Sequence, residues 1–258
     1  MLRCAMTLTM VSVLHSGCSS SGWTWIPSVR TRQIANDATV DQIVQVLNVN
    51  TLGTQTQQGL KSWHATNATV TMPNMVPVPA TIAVEAPPNL GIRVAHPLSH
   101  SEVFDVGSNE DEFWVSARDS DPAGVVHVRL DEVDVISQYF DLPIHPDWMM
   151  EVFGVVALNP DDYRREESDK NAHYVDLVGH KTAPNGMVVG NVIRVDLRRG
   201  VIVQRSLHAE DGTVLGLAVY SDHERDQESQ LMLRRQISLE VPAIGSEVTF
   251  HLKDVLLN

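Results

Sequence analysis

The sequence holds only two cysteines, Cys4 and Cys18, and both fall within the first 18 of its 258 residues. The remainder therefore has no means of building a disulfide framework, a zinc ribbon or a thiol redox motif. Basic residues are also scarce, 19 Lys and Arg against 32 Asp and Glu, and no Lys/Arg run is longer than two. A net charge of −13 repels phosphate backbones and argues against nucleic acid as a partner. Aromatics make up only 5%, so the apolar content is mostly Val, Leu, Ile and Met. The Gly-x-Ser-x-Gly elbow, the P-loop, Gly-x-Gly-x-x-Gly and His-Glu-x-x-His are all missing. These absences point to a protein that is not an enzyme and needs neither cofactor nor metal. No fixed-period repeat and no low-complexity domain occurs.

What is present begins with an apolar run, Cys4 to Leu14, behind Met-Leu-Arg. At about 11 residues it is too short for a bilayer, which takes roughly 20. It fits the apolar region of a secretory signal, with Arg3 at the positive end. The next residues, Leu14-His15-Ser16-Gly17-Cys18, resemble the lipobox of bacterial lipoproteins. That resemblance implies removal of residues 1–17, acylation of Cys18 and anchoring by lipid. Ser19 after the cysteine implies the outer membrane, on the periplasmic side. The alternative is an ordinary signal peptide cut near Gly17 or Gly22, with Cys18 an incidental thiol. Ser19 to Gly22 is a small-residue linker and Trp23 to Arg32 a tether broken by Pro27, so residues 18–38 form a stalk and 39–258 the folded domain.

The domain starts with a helix from Thr39 to about Asn50. Thr39 and Gln42 make a capping-box pattern, and Val40, Ile43, Val44 and Leu47 form one apolar stripe. Strand signals follow over 64–72, 80–86, 90–95, 101–106, 112–117 and 124–130, with period-two alternation in Ile82, Val84, Leu90, Ile92 and Val94. A short helix is expected from Pro146 to about Phe153, with Asp147 near its positive end and Gly154 closing it. Strands return over 172–180, 187–197, 201–208, 213–221, 231–241 and 246–257. Pro184-Asn185-Gly186, Arg198-Arg199-Gly200, Glu210-Asp211-Gly212 and Ala243-Ile244-Gly245 separate them. The fold class is mainly β with some helix (α+β): an antiparallel meander of about 10 or 11 strands. An amphipathic helix needs an apolar sheet face to lie on, which favours an unclosed half-barrel covered by helices over a closed barrel.

The candidates for chemistry are few. His145 and Asp147 have the residue types of an acid/base pair, but Pro146 between them reads as a loop-to-helix junction. His223 and Glu224, beside Arg225 and Asp226, read as a solvated hairpin end. Asp119, Asp121, Asp131, Glu132 and Asp134 could bind calcium, yet lack the Gly and distal Glu of an EF-hand loop.

The helix at Val40–Leu47, the turn Ala86-Pro87-Pro88-Asn89-Leu90 and the acidic hairpin Val106-Gly107-Ser108-Asn109-Glu110-Asp111-Glu112-Phe113-Trp114 resemble the bacterial lipoprotein-localisation proteins LolA and LolB, as does the hairpin around Asp211-Gly212. The resemblance spans most of Thr39 to Asn258. It implies an unclosed β-barrel with a helical lid and an apolar cavity for acyl chains. Cys18 makes the chain resemble the lipidated acceptor of that pair more than the soluble carrier. Pro87 stands where the carrier has the arginine that ties its lid, and Arg93 is near but not at that place.

The expected function is an envelope lipoprotein that binds acyl chains such as palmitate, or lipoprotein cargo, in trafficking and without chemistry. Cavity candidates are Val40, Ile43, Leu47, Trp63, Met72, Ile82, Val84, Leu90, Ile92, Val94, Phe104, Phe113 and Trp114, with Met75, Val106 and Val128 on the same sheet face. Core packing uses the same residue types. The alternative is therefore a structural or sensing lipoprotein with a filled core that binds another envelope protein.

Overall fold

A computed structural model describes residues 33–86, 89–99, 101–118, 124–133, 146–167, 173–182 and 187–257. They belong to a unit that begins at Thr31. The signal and lipobox residues, Cys18, Pro87, Pro88, His145, Asp119, Asp121, Asp134 and the Pro184–Gly186 turn lie outside the described residues.

Helix α1 spans Val40–Leu52. Its start is set by the Thr39 capping box: Gln42 N donates to Thr39 Oγ1 at 3.4 Å, and Thr39 N donates to Gln42 Oε1 at 2.9 Å. Ile43, Val44 and Leu47 form its buried stripe. A two-strand ribbon follows, β1 (Gly53–Thr54) and β2 (Gln57–Gln58).

Six strands then run β3 (Ser62–Thr71), β4 (Val78–Glu85), β5 (Asn89–Ala95), β6 (Glu102–Ser108), β7 (Glu112–Ala117) and β8 (Gly124–Arg129). Helix α2, Pro146–Phe153, follows, ending at Gly154 with φ 81°. A Cβ there would come within 2.6 Å of Arg234 Nη1, so the backbone turn and its neighbour both call for glycine. The second series is β9 (Tyr163–Glu167), β10 (Tyr174–Thr182), β11 (Val188–Asp196), β12 (Val201–His208), β13 (Val214–Arg225), β14 (Met232–Val241) and β15 (Ser246–Leu257).

All thirteen long strands form one antiparallel sheet, in the order β8-β7-β6-β5-β4-β3-β15-β14-β13-β12-β11-β10-β9. Two meanders are thus joined where the last strand pairs with the first, Phe250 opposite Val70 and Leu252 opposite Ala68. The sheet does not close on itself: β8 and β9 remain its two ends. The half-barrel expectation holds, with more strands than the 10 or 11 expected. Within the large sheet the unexpected strand is β9, whose Tyr-Arg-Arg-Glu-Glu sequence has no apolar alternation to announce it; the short β1 and β2 were unexpected as well. A second correction concerns His223, Glu224 and Arg225. They do lie at a hairpin end, but as the last paired residues of β13, in register with Arg234, Leu233 and Met232, and His223 is half-buried there and not in a solvated loop.

Both helices share one apolar core with a single face of the sheet. Alternation places Ala80, Ile82 and Val84 on that inner face and leaves Ala83 and Glu85 exposed.

Candidate functional site

The inner face is treated differently along the sheet. Over β9–β14 the helices fill it. Asn48 of α1 donates to Leu158 O (2.7 Å) and accepts from Leu158 N (2.8 Å), and Asn50 makes the same two-way contact with Met232. Trp148, Met150, Val152 and Phe153 of α2 are buried. Phe153 meets the rings of Trp63 and Phe250 edge-on, and its carbonyl accepts from Trp63 Nε1 at 3.2 Å. The spaces left beneath the helices are only about 50 and 30 Å³.

A polar cluster sits inside this filled part. Glu151 of α2 accepts from Arg205 Nη1 of β12 at 3.0 Å and also binds Lys181 of β10. Arg234 donates to Val152 O at 3.0 Å and lies over the Tyr220 ring at 4.3 Å. Burial pulls the Arg234 guanidinium below its usual value and pushes the Tyr220 and Tyr163 phenols up. His223 donates from Nε2 to Ile202 O at 3.0 Å; burial, and then Arg234, lower its pKa to about 4.

Beyond the Trp63–Phe153–Phe250 contacts, toward the Met72 and Val241 ends of β3, β4, β14 and β15 and across β5–β7, the inner face is not filled. It bounds a cavity of about 440 Å³, roofed by Pro146 and Met149 of α2. Its walls carry Leu90, Ile92 and Val94 of β5, Phe113 and Val115 of β7, and Leu239, Val241, Val248 and Phe250 of β14 and β15. Among the described residues Ser246 is the one lining residue with a polar side chain. The β5–β6 register shifts at Val94/Ala95, leaving Val103 unopposed, and both Val103 and Phe104 reach the cavity. Met75 and Phe104 line it while remaining 54% and 37% exposed, which marks its mouth. A second, more open groove of about 540 Å³ lies at the other end of β3–β5, where Ser62, His64, Glu85 and Asn89 interrupt a largely apolar wall.

Of the sequence candidates, Met72, Leu90, Ile92, Val94, Phe104 and Phe113 meet on the apolar cavity, together with Met75 and Val106. Ile43 and Leu47 are buried in the core under α1, and Val40 packs at its margin. Trp63, Ile82 and Val84 are core residues of β3 and β4, Trp63 and Val84 also bordering the second groove. Trp114 alternates with Phe113 and Val115 and so lies on the opposite face of β7. It packs over Gly107, where a Cβ would come within 2.1 Å of its ring, and its Nε1 donates to Asp105 at 3.4 Å. The sequence reading missed the β14 and β15 wall. The alternation Leu239, Val241 and Val248, Phe250 was visible, but not that the two ends of the chain pair.

Arg93, the residue nearest the carrier's latch position, instead pairs with Asp105 at 3.4 Å and Glu102 at 4.0 Å. Asp131 is engaged by Arg129 through two bonds, 3.0 and 3.2 Å. Among the described residues no group of three or more His, Cys, Asp and Glu could hold a metal ion, and no helix is long and apolar enough to cross a membrane.

No protein-family model and no curated protein sequence matches the chain. Solved structures do. A Vibrio parahaemolyticus domain named for outer membrane lipoprotein sorting superposes with TM-score 0.53 at 9% identity, over 87% of this chain and 94% of that one. A DUF1329 family protein from Desulfovibrio piger gives 0.50 at 11%, over 85% and 93%. A LolA superfamily protein from Nitrosomonas europaea gives 0.46 at 12%, over 86% and 94%. At such identities the likeness is one of fold. In fold, then, this chain is similar to the Vibrio parahaemolyticus domain and the Desulfovibrio piger protein: an unclosed antiparallel half-barrel with helices across its inner face.

Proposed function

We propose that the protein binds acyl chains, free or carried by lipoproteins, in the cavity between α2 and strands β14, β15 and β3–β7, and that it works in lipid or lipoprotein trafficking in the cell envelope. The observation that carries this reading is the contrast between the two parts of one sheet face. One part is packed by α1 and α2. The other bounds about 440 Å³ under the same helix. That volume falls in the usual range for small-molecule sites, about 300–1,000 Å³. Its walls offer aliphatic, thioether and phenyl groups, which suit a flexible hydrocarbon that makes no directional bonds. Burying ~12 methylenes at ~0.8 kcal/mol each gains on the order of 10 kcal/mol before ordering costs.

Transfer of such cargo needs only a difference in affinity between donor and acceptor, so no catalytic group is required. The similarity in fold to a domain named for lipoprotein sorting supports the same reading. Anchoring through Cys18, and an outer-membrane site facing the periplasm, belong to this proposal on the strength of the lipobox resemblance. Two acyl chains hold a protein on a membrane where one barely does.

Native mass spectrometry of the purified domain tests the reading. Adducts of acyl-chain mass, displaced by added palmitate, are expected. A ligand-free protein that ignores palmitate and phospholipid alike would favour the structural or sensing role.

A further inference from the structure

The two free ends of the sheet are unlike. Four of the five residues of β9 are charged. Arg164 pairs with Glu166 at 2.7 Å, while Arg165 reaches across to the carbonyls of Ala38 (2.7 Å) and Asn36. Charge and an overlying segment are the usual means of blunting an edge against further pairing.

Strand β8 has one arginine against the four charges of β9, and among the described residues no segment hydrogen-bonds to its outer edge. Gly124-Val125-Val126-His127-Val128-Arg129 carries no carboxylate, lysine or proline. Among the described residues it pairs only with β7, and Val125 is 65% exposed. On its other face Val126 and Val128 pack with Phe113, Val115 and Val133 in a small apolar cluster separate from the main core. The apolar wall thus runs out to the last strand of the sheet.

We propose that β8 is the docking edge for an extended, basic segment of a partner protein, which adds to the sheet as a further strand. In strand addition the main chain supplies hydrogen bonds and alternate side chains supply selectivity. Aliphatic residues at every second position of the incoming segment would continue the row of Val126 and Val128. Charge sets the sign of the rest. The Arg129 end of β8 is flanked by Glu110, Asp111, Glu112, Asp131 and Glu132; Leu130 N donates to Asp111 O, and Glu112 lies opposite Arg129. Against them stand Arg129, bound to Asp131, and His127, 3.1 Å from Glu112. Lysine or arginine flanking the incoming strand meets this acidic end. A second copy of the chain would bring a further −13 and is opposed by it. The inference is independent of what occupies the cavity.

The test uses a labelled ten-residue peptide of alternating Val and Thr flanked by lysine pairs, titrated against the protein and followed by anisotropy and amide hydrogen exchange. Binding is expected, with exchange slowed at Val125–Arg129. Methylating the peptide backbone at alternate nitrogens, or replacing its lysines by glutamates, is expected to weaken binding at least tenfold. Both changes leave the protein's own folding untouched. Failure to bind, equal binding of the methylated peptide, or protection elsewhere would overturn the proposal. So would a protein dimer in sedimentation that Val125→Lys dissolves, since that assigns the edge to a second copy.

Discussion

Arg205 of β12, its side chain only 1% exposed, donates to the carboxylate of Glu151 on α2 at 3.0 Å. This pair fixes α2 to the filled part of the sheet while Met149, two residues earlier, roofs the cavity. Removing Glu151 strands the buried Arg205 charge and is expected to cost about 3–5 kcal/mol, whereas removing Arg205 leaves Glu151 paired with Lys181 and costs less. Glu151→Gln should lower the urea midpoint sharply and Arg205→Met by a smaller amount. The double variant should be more stable than the sum of the two losses implies. Additive losses would show that the two side chains are not coupled.

His223 predicts a pH dependence. Its folded pKa of about 4 lies below the ordinary histidine value of 6.5, because burial and Arg234 oppose its charge, along with Arg199, while the bond to Ile202 O and Asp196 favour it. Between these values the unfolded chain binds the extra proton. The contribution is therefore fully present above about pH 6.5 and is lost as pH falls toward 4. His223→Asn is expected to flatten stability over that window relative to the parent. Parallel curves would contradict it.

Filling the cavity should separate binding from folding. Met149→Trp places a larger side chain in the roof, where about 440 Å³ is available. Loss of a fluorescent acyl probe's binding by at least tenfold is expected, with stability changed by less than the ~1–3 kcal/mol typical of overpacking a full core. An equal substitution at Val152, buried in the filled part, should instead destabilise the protein.

The cap of α1 makes a smaller, cleaner case. Thr39→Ala removes the hydroxyl acceptor for Gln42 N and should cost about 1 kcal/mol in chemical denaturation. Thr39→Ser should restore most of it.

The sequence was most legible where local chemistry decides the structure. Thr39 and Gln42 announced α1, Pro146 and Gly154 bounded α2, and Ile82, Val84, Ile92 and Val94 displayed the inner face in their spacing. Strand β9 was invisible because Arg164, Arg165, Glu166 and Glu167 lie at a sheet edge, where pairing sets the strand and apolar alternation is not needed. His223 looked like loop because its polar neighbours are spaced as in one; its place under Arg234 comes from the register of β13 on β14. The cavity itself could not be read. Val84 packs the core and Leu90 lines the hollow, and they pair directly across β4 and β5. Only the path of α2 over the sheet separates their roles, and that path rests on long-range contacts such as Glu151 with Arg205.

The most direct test is photolabelling with a palmitate analogue bearing a diazirine near its methyl end, followed by peptide mapping. The account predicts labels on Met72, Met75, Phe104 and Met149, competed away by unlabelled palmitate and absent from Met149→Trp. Label concentrated on the second groove around His64 and Asn89, or spread without competition over the surface, would contradict it.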